Sequence, residues 1–277
     1  YHAGRKLVSA ETGTWLAEHF QETLGGLKEL FDDLFLSGVN HLFYHGTCYS
    51  PDDAPWPGWL FYASTEMNPR NAIWRDAPAL NAYATRCQSM LQQGQLDPDF
   101  LVYWPIHDLW HNAAGLEMNL TVHARDWLEG QPVGRVAHAL RAAGNTIAFV
   151  SDRQLAALNS ARAIAVPPCE HLPPETLSRL LALQAGGTPV YFVDRLPAEP
   201  PGAGRLEERR AEMQRLLARA RAEKLDPVPL AQLAPTLAPP GLQQIRRALP
   251  DGHLVFIANR GTNDNEGWID LRRPAQA

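Results

Sequence analysis

The chain has 277 residues, 45% of them hydrophobic, and a formal net charge of −5. This length allows one large domain or two to three small ones, and the acidic balance without a basic stripe argues against a nucleic-acid partner. No apolar stretch approaches the roughly 20 residues of a membrane span, so no membrane partner is expected. The three cysteines are scattered without a C-x-x-C pair, which gives neither a disulfide framework nor a zinc ribbon.

The first 130 residues alternate between predicted strands and predicted helices. Short apolar runs predict strands at residues 6–10, 41–44 and 100–104. Apolar side chains at spacings of three and four predict helices over residues 15–34 and 72–92. Buried strands joined by helices indicate an α/β fold with a parallel sheet. We interpret residues 1–130 as the last strands of a (β/α)8 catalytic barrel, and we expect the chain to be an internal fragment whose earlier strands precede Tyr1.

Two further domains are predicted after the barrel segment. Residues 131–235 contain apolar strands and amphipathic helices that indicate a small three-layer α/β domain. Residues 240–277 begin with two apolar runs around Asp251-Gly252, a strong hairpin turn signal, followed by a predicted strand at 267–271. The second pattern predicts the start of an antiparallel β-sandwich.

Polar side chains are predicted at the carboxyl ends of the barrel strands, where α/β enzymes carry their chemistry. Glu11 and His45 follow the first two strands, and His107 and Asp108 follow the third. A carboxylate held there can serve as one of the two carboxyl groups of a glycosidase, although Glu11 could also be a helix cap. His45 can bind sugar hydroxyls or orient a carboxylate, or it can be a packed histidine.

The loop after residues 41–44 is long and keeps its aromatic side chains, which is unusual for a surface connection. Its residues Tyr49 and Trp59 are predicted to contact a sugar, although the tryptophans could equally pin the loop to the barrel rim. His107 and His111 have the i, i+4 spacing of zinc ligands, but no Glu follows His107, so no metal site is predicted. Cys169 lacks the small neighbours of a nucleophile elbow and is expected to be inert.

Several blocks resemble glycoside hydrolase family 106, the α-L-rhamnosidases: SAETGTWLAEHF, GVNHLFYHGTCYSP, PWPGWLFYASTEMNPRNAIW and DFLVYWPIHDLWH. The resemblance implies an inverting two-carboxylate mechanism in a multidomain bacterial enzyme, with a rhamnose-containing glycoside or oligo- or polysaccharide as substrate. It also implies a calcium ion at the sugar, whose ligands are not placed, and a periplasmic or extracellular location. The small α/β domain resembles the amidotransferase-like domain of some β-galactosidases.

In this hypothesis Glu11 is one catalytic carboxylate and its acid partner lies upstream of Tyr1, so the chain alone is expected to be inactive. His45, Tyr49, Trp59, His107 and Asp108 would contact the substrate. Two alternatives stay open: a β-galactosidase-like glycosidase on the same barrel, and a non-catalytic carbohydrate-binding or structural remnant.

Overall fold

The computed structural model describes residues 1–63, 65–112, 125–234, 241–269 and 271. Its strands are β1 (Ser9–Thr12), β2 (His41–Tyr44), β3 (Gln95–Leu96), β4 (Phe100–Tyr103), β5 (Ile147–Val150), β6 (Ile164–Val166), β7 (Val190–Phe192), β8 (Leu242–Leu249) and β9 (Gly252–Asn259). Its α-helices are α1 (Leu24–Leu36), α2 (Ala77–Leu91), α3 (Ile106–His111), α4 (Pro132–Ala142), α5 (Asp152–Ala157), α6 (Pro174–Ala185), α7 (Leu206–Ala222) and α8 (Leu230–Leu233). Among these described helices none is both long and apolar enough to cross a membrane.

The chain divides into two compact units. Of the described residues, unit 1 comprises those within Tyr1–Asp97 and Leu242–Glu266, and unit 2 comprises those within Pro98–Gly241 and Gly267–Arg273. The first division therefore falls at residue 97 and not near the predicted boundary at residue 130. The hairpin of β8 and β9, predicted to open a separate domain, belongs to unit 1.

Unit 1 contains a two-stranded parallel sheet in which β1 pairs with β2. The predicted strand at 6–10 was placed too early, because the ladder begins with the pair Ser9 and His41. Just before it, the side chain of Asn40 accepts the backbone N–H of Val8 at 2.9 Å and satisfies that donor. The mixed α/β class with parallel strands is confirmed.

Helix α1 begins nine residues later than the predicted start at Trp15. Thr23 caps it, since the Thr23 side chain accepts the backbone N–H of Gly26 at 3.0 Å. Upstream, Phe20 has a φ of 64°, a left-handed conformation that no α-helix continues through. The core of unit 1 forms where α1 and α2 bury apolar side chains, among them Leu27, Phe31, Phe35, Leu80 and Leu91.

The hairpin is confirmed, with β8 and β9 antiparallel and Leu249 paired with Gly252 across a two-residue turn. The third strand of this sheet is β3, which pairs with β8 through Gln95 and Ala248. The predicted strand at 267–271 was wrong for the residues that the structure describes there, which form no strand. The other edge of β8 is thus filled by a short strand from much earlier in the chain.

Unit 2 is built on a four-stranded sheet of order β5-β4-β6-β7, with every neighbouring pair parallel. The strand predicted as the third barrel strand, Phe100–Tyr103, is a central strand of this sheet. Its residue Leu101 pairs with Ala148 on one side and Ile164 on the other. Three of its four side chains are buried, as expected of a central strand covered on both faces, and its backbone pairs with β5 at one edge and β6 at the other. Its assignment to the barrel segment was wrong.

Candidate functional site

In unit 1, Glu11 and His45 meet at the carboxyl end of the β1–β2 pair. Glu11 is the third residue of β1 and lies opposite Phe43, and His45 directly follows β2. The Nε2 atom of His45 lies 3.5 Å from Oε1 of Glu11. The Glu11 side chain is 69% exposed, so this carboxylate is open to solvent and not held in a buried strand. The sequence prediction placed both residues at this edge, and the parallel register brings them together.

Several contacts fix the ring of His45. Its backbone N–H donates to the carbonyl of Thr12 at 2.8 Å and extends the ladder by one bond. Its ring Nδ1 lies 2.9 Å from the hydroxyl oxygen of Thr14. The rings of Phe61 and Tyr62 approach it edge-on, with centroids 4.7 and 5.5 Å away. When the Thr14 hydroxyl donates to Nδ1, the ring proton sits on Nε2 and faces Glu11.

A pocket of about 480 Å³ opens beside His45. It is lined by Tyr44, His45, Gly46, Thr47, Phe61, Met67, Trp74 and Asn81. The hydroxyl of Tyr44 donates to Oδ1 of Asn81 at 2.7 Å. Burial raises the pKa of Tyr44 to about 12, so this phenol stays a neutral hydrogen-bond donor at physiological pH. The pocket therefore combines an aromatic wall with amide and hydroxyl groups.

The two predicted aromatic contacts lie on the open surface of unit 1. Tyr49 is 89% exposed and Trp59 is 62% exposed. The backbone N–H of Trp59 donates to the Ser50 hydroxyl at 2.9 Å, which fixes the main chain and leaves the indole in solvent. Trp56 also packs on Phe20 with ring centroids 5.7 Å apart, yet it is 71% exposed. Both indoles are therefore open to contact a ligand.

Glu66 is a residue that the sequence reasoning did not select. Its side chain is fully buried within the same aromatic loop. Oε1 accepts the backbone N–H of Phe61 at 2.9 Å and lies 3.2 Å from Nδ1 of His19. Oε2 accepts an amide N–H of Asn68 at 3.3 Å. The carboxylate holds the backbone of Phe61, whose ring packs on His45. The sequence feature that could have indicated Glu66 is its position inside the aromatic segment FYASTEM.

In unit 2, His107 lies beside Asp152, which begins α5. Nε2 of His107 is 3.3 Å from Oδ2 of Asp152. The other oxygen, Oδ1, accepts the hydroxyls of Tyr103 at 2.9 Å and Thr176 at 2.6 Å. Burial alone would raise the pKa of Asp152, but the contacts from His107, Thr176 and Tyr103 outweigh it and lower that pKa. Asp152, missed by the sequence reasoning, is therefore an ionised carboxylate with organised donors.

The side chains of Asp108 and Cys169 are both held by the surrounding protein. Both carboxylate oxygens of Asp108 accept backbone N–H groups, from Glu170 at 2.8 Å and from His171 at 2.7 Å. Cys169 is buried, and that burial raises the pKa of its thiol to about 12, in keeping with the expected inertness. Within the described ranges, no group of three or more His, Cys, Asp or Glu side chains could hold a metal ion.

The predicted site residues thus divide between the units. Glu11, His45, Tyr49 and Trp59 lie in unit 1, whereas His107 and Asp108 lie in unit 2. Both units place polar side chains at the carboxyl ends of parallel strands, the arrangement of α/β enzymes. The sequence profile of glycoside hydrolase family 106, described as alpha-L-rhamnosidase, matches residues 2–225. The chain therefore belongs to glycoside hydrolase family 106, as its sequence blocks predicted.

Two known proteins are similar to parts or most of this chain. A rhamnosidase from Novosphingobium sp. PP1Y has a similar structure, with a TM-score of 0.64 and 18% identity, over 92% of this chain and 26% of that one. A protein of Formosa agariphila whose name suggests a beta-glucuronidase is 34% identical over 101 residues, which is 36% of this chain and 8% of the relative. The chain thus spans about a quarter or less of the length of these relatives.

Proposed function

We propose that this chain is part of a glycoside hydrolase that removes terminal α-L-rhamnose from glycosides or oligo- or polysaccharides outside the cytoplasm. Membership of family 106 supports the class of reaction. The observation that carries the proposal is the exposed Glu11 carboxylate next to the fixed ring of His45, at the carboxyl end of two parallel strands. The pocket beside His45 offers aromatic and amide groups to a sugar ring.

In the proposed inverting reaction, Glu11 is the general base. It takes a proton from water as the water oxygen bonds to the anomeric carbon, while the bond to the leaving oxygen breaks. A carboxylic acid on the other side of the bond, about 6.5–9.5 Å away, protonates the leaving oxygen. His45, held by Thr14, presents Nε2–H to Glu11 and keeps the carboxylate oriented.

A calcium ion at the sugar is implied by the family resemblance, and its ligands in this chain are not assigned. Calcium needs six to eight oxygen ligands, commonly from several carboxylates. The part of the chain that the structure describes contains no cluster of three or more suitable side chains. No step of the proposed reaction is therefore routed through calcium.

The test is Glu11→Gln in the full-length protein, assayed on an aryl α-L-rhamnoside. Loss of a general base should lower kcat about 10²–10⁴-fold. The matched control is Glu18→Gln, because Glu18 is an exposed glutamate of the same unit. Activity of Glu11→Gln within a few-fold of the control would exclude Glu11 as the base. NMR of the first sugar anomer released distinguishes inversion from retention.

A second candidate substrate follows from the relative named as a beta-glucuronidase, which is 34% identical over 101 residues. The same assay should therefore include an aryl β-glucuronide and an aryl β-galactoside. Selectivity for the rhamnoside supports the proposal. Preferential turnover of either other glycoside would replace the rhamnoside as the substrate while keeping the class of enzyme.

A further inference from the structure

Unit 2 carries its own open pocket of about 670 Å³. The residues around it are His107, Trp110, His111, Asp152, Pro173, Glu175, Thr176, Pro201, Gly202 and Arg209. A volume of this size lies within the range of about 300–1,000 Å³ that small-molecule sites occupy. The lining combines one exposed indole and two proline rings with charged and hydroxyl groups, which is the composition of a site for a small polar ligand.

The pocket lies at the topological switch point of the four-stranded sheet. The chain runs from β4 to β5 on one side and then crosses back to β6 on the other side of β4. Connections after β4 and β6 therefore leave in opposite directions and open a crevice at their carboxyl ends. His107 follows β4, Asp152 follows β5 and Pro173 follows β6. Open α/β sheets bind their ligands at this place.

The polar groups of the pocket are organised before any ligand arrives. Asp152 is held at Oδ1 by Tyr103 and Thr176, and His107 lies against Oδ2. Helix α3, which bears His107 and Trp110, is fixed because its Asp108 accepts two backbone N–H groups from the segment after β6. Preorganised side chains lower the entropic cost of binding.

The charges select the chemical class of the ligand. Two carboxylates, Asp152 and Glu175, line the pocket and disfavour an anion. Among the described lining residues the one arginine is Arg209, and its guanidinium already donates to the carbonyl of Pro201 at 2.6 Å. Carboxylate and imidazole groups bind hydroxyls well, and the exposed face of Trp110 suits the C–H face of a sugar ring. A neutral polyhydroxylated ligand satisfies all of these groups.

We propose that unit 2 contains a pyranose-binding site of its own, with Trp110 as the stacking platform and Asp152, His107 and Glu175 as hydroxyl partners. This site shares no residue with the Glu11 site, and binding a sugar there requires no catalytic group. Its role is to bind a sugar unit of a saccharide. The identity of the sugar used as probe, α-L-rhamnose, rests on the proposed function.

The test is hydrogen-exchange mass spectrometry of full-length Glu11→Gln protein with methyl α-L-rhamnopyranoside. This background prevents turnover at the proposed catalytic site, and a binding footprint in unit 2 does not depend on whether Glu11 is catalytic. The sugar should slow exchange in peptides covering residues 106–112 and 173–177. Adding Trp110→Ala should weaken the apparent affinity at these peptides about tenfold, whereas Trp110→Phe should restore most of it.

The matched control is Trp268→Ala, because Trp268 is a fully exposed tryptophan outside the pocket lining. It should leave the sugar footprint unchanged. Absence of protection at residues 106–112, or protection that survives Trp110→Ala, would overturn the proposal. Protection of the same peptides by inorganic phosphate and not by the sugar would assign the pocket to an anion, which also overturns it.

Discussion

His171 contacts Asp108 through both its backbone and its ring. The backbone N–H donates to Oδ1 of Asp108 at 2.7 Å, and ring Nδ1 lies 2.9 Å from the same oxygen. The rings of His171 and His111 are also in contact, with centroids 3.9 Å apart and planes tilted by 31°. These contacts join α3 to the segment after β6. They favour a positioning role for Asp108, while its substrate contact stays a prediction.

Asp108→Ala should destabilise the protein. The change removes the acceptor of two partly buried backbone N–H groups, those of Glu170 and His171. We expect the free energy of unfolding to fall by about 1–3 kcal/mol for an unsatisfied buried donor. Denaturant unfolding followed by circular dichroism measures it. Asp226→Ala, at an exposed aspartate, is the control and should change stability by less than about 0.5 kcal/mol; equal effects would contradict this role.

Asp97 and Arg246 form a buried ion pair in unit 1. Nε of Arg246 donates to Oδ2 of Asp97 at 2.7 Å, and the Arg246 side chain is fully buried. Asp97→Asn should cost about 3–5 kcal/mol of unfolding free energy, because it removes the negative charge that pairs with a buried guanidinium. Calorimetric or denaturant unfolding checks the value.

The comparison for Asp97 is the pair of Arg260 and Asp33, whose Nη2 and Oδ2 atoms are 2.7 Å apart. Asp33 is 55% exposed, and exposed pairs contribute about 0–1 kcal/mol. Asp33→Asn should therefore have a much smaller effect than Asp97→Asn. A loss of stability in Asp33→Asn as large as that in Asp97→Asn would show that burial does not set the strength of the Asp97 pair.

Asp152 should make the stability of unit 2 depend on pH in the acid range. Its pKa is lowered from the ordinary value of 3.8 because donors from His107, Thr176 and Tyr103 outweigh burial. A lowered folded-state pKa means that the stabilisation is present above about pH 3.8 and is lost as the pH falls through the lower value. Thermal unfolding of wild type and Asp152→Asn from pH 7 to pH 2 should show a gap that narrows only below about pH 3.8. A gap that is constant with pH would contradict this assignment.

The order of the elements was largely predictable from local pattern. The strands β2 and β4 lie within one residue of the apolar runs at 41–44 and 100–104 that predicted them. The Asp251-Gly252 signal located the hairpin to within one residue, since the turn consists of Pro250 and Asp251 and Gly252 begins β9. The start of α1 was missed because the apolar spacing continues upstream of Thr23, while the cap and the backbone of Phe20 decide where the helix begins.

Strand pairing was not predictable in the same way. The apolar run at residues 100–104 predicts a buried strand but not which sheet contains it. In the structure, β4 joins strands that come later in the chain, and β3 joins a hairpin just over 150 residues away. Such pairing depends on backbone hydrogen bonds at the strand edges and on packing against the strand faces. Both involve residues that are far apart in the sequence.

The sequence by itself determined the family, the α/β class, and the candidates Glu11 and His45. The residues of a motif and the end of a predicted strand can both be read from short stretches of sequence. Tertiary structure alone decided that these two side chains meet at 3.5 Å, that Asp108 is engaged by Glu170 and His171, and that Asp152 joins His107 in a second pocket. These outcomes follow from the register and order of parallel strands. That register brings together groups that are 34 to 63 residues apart along the chain.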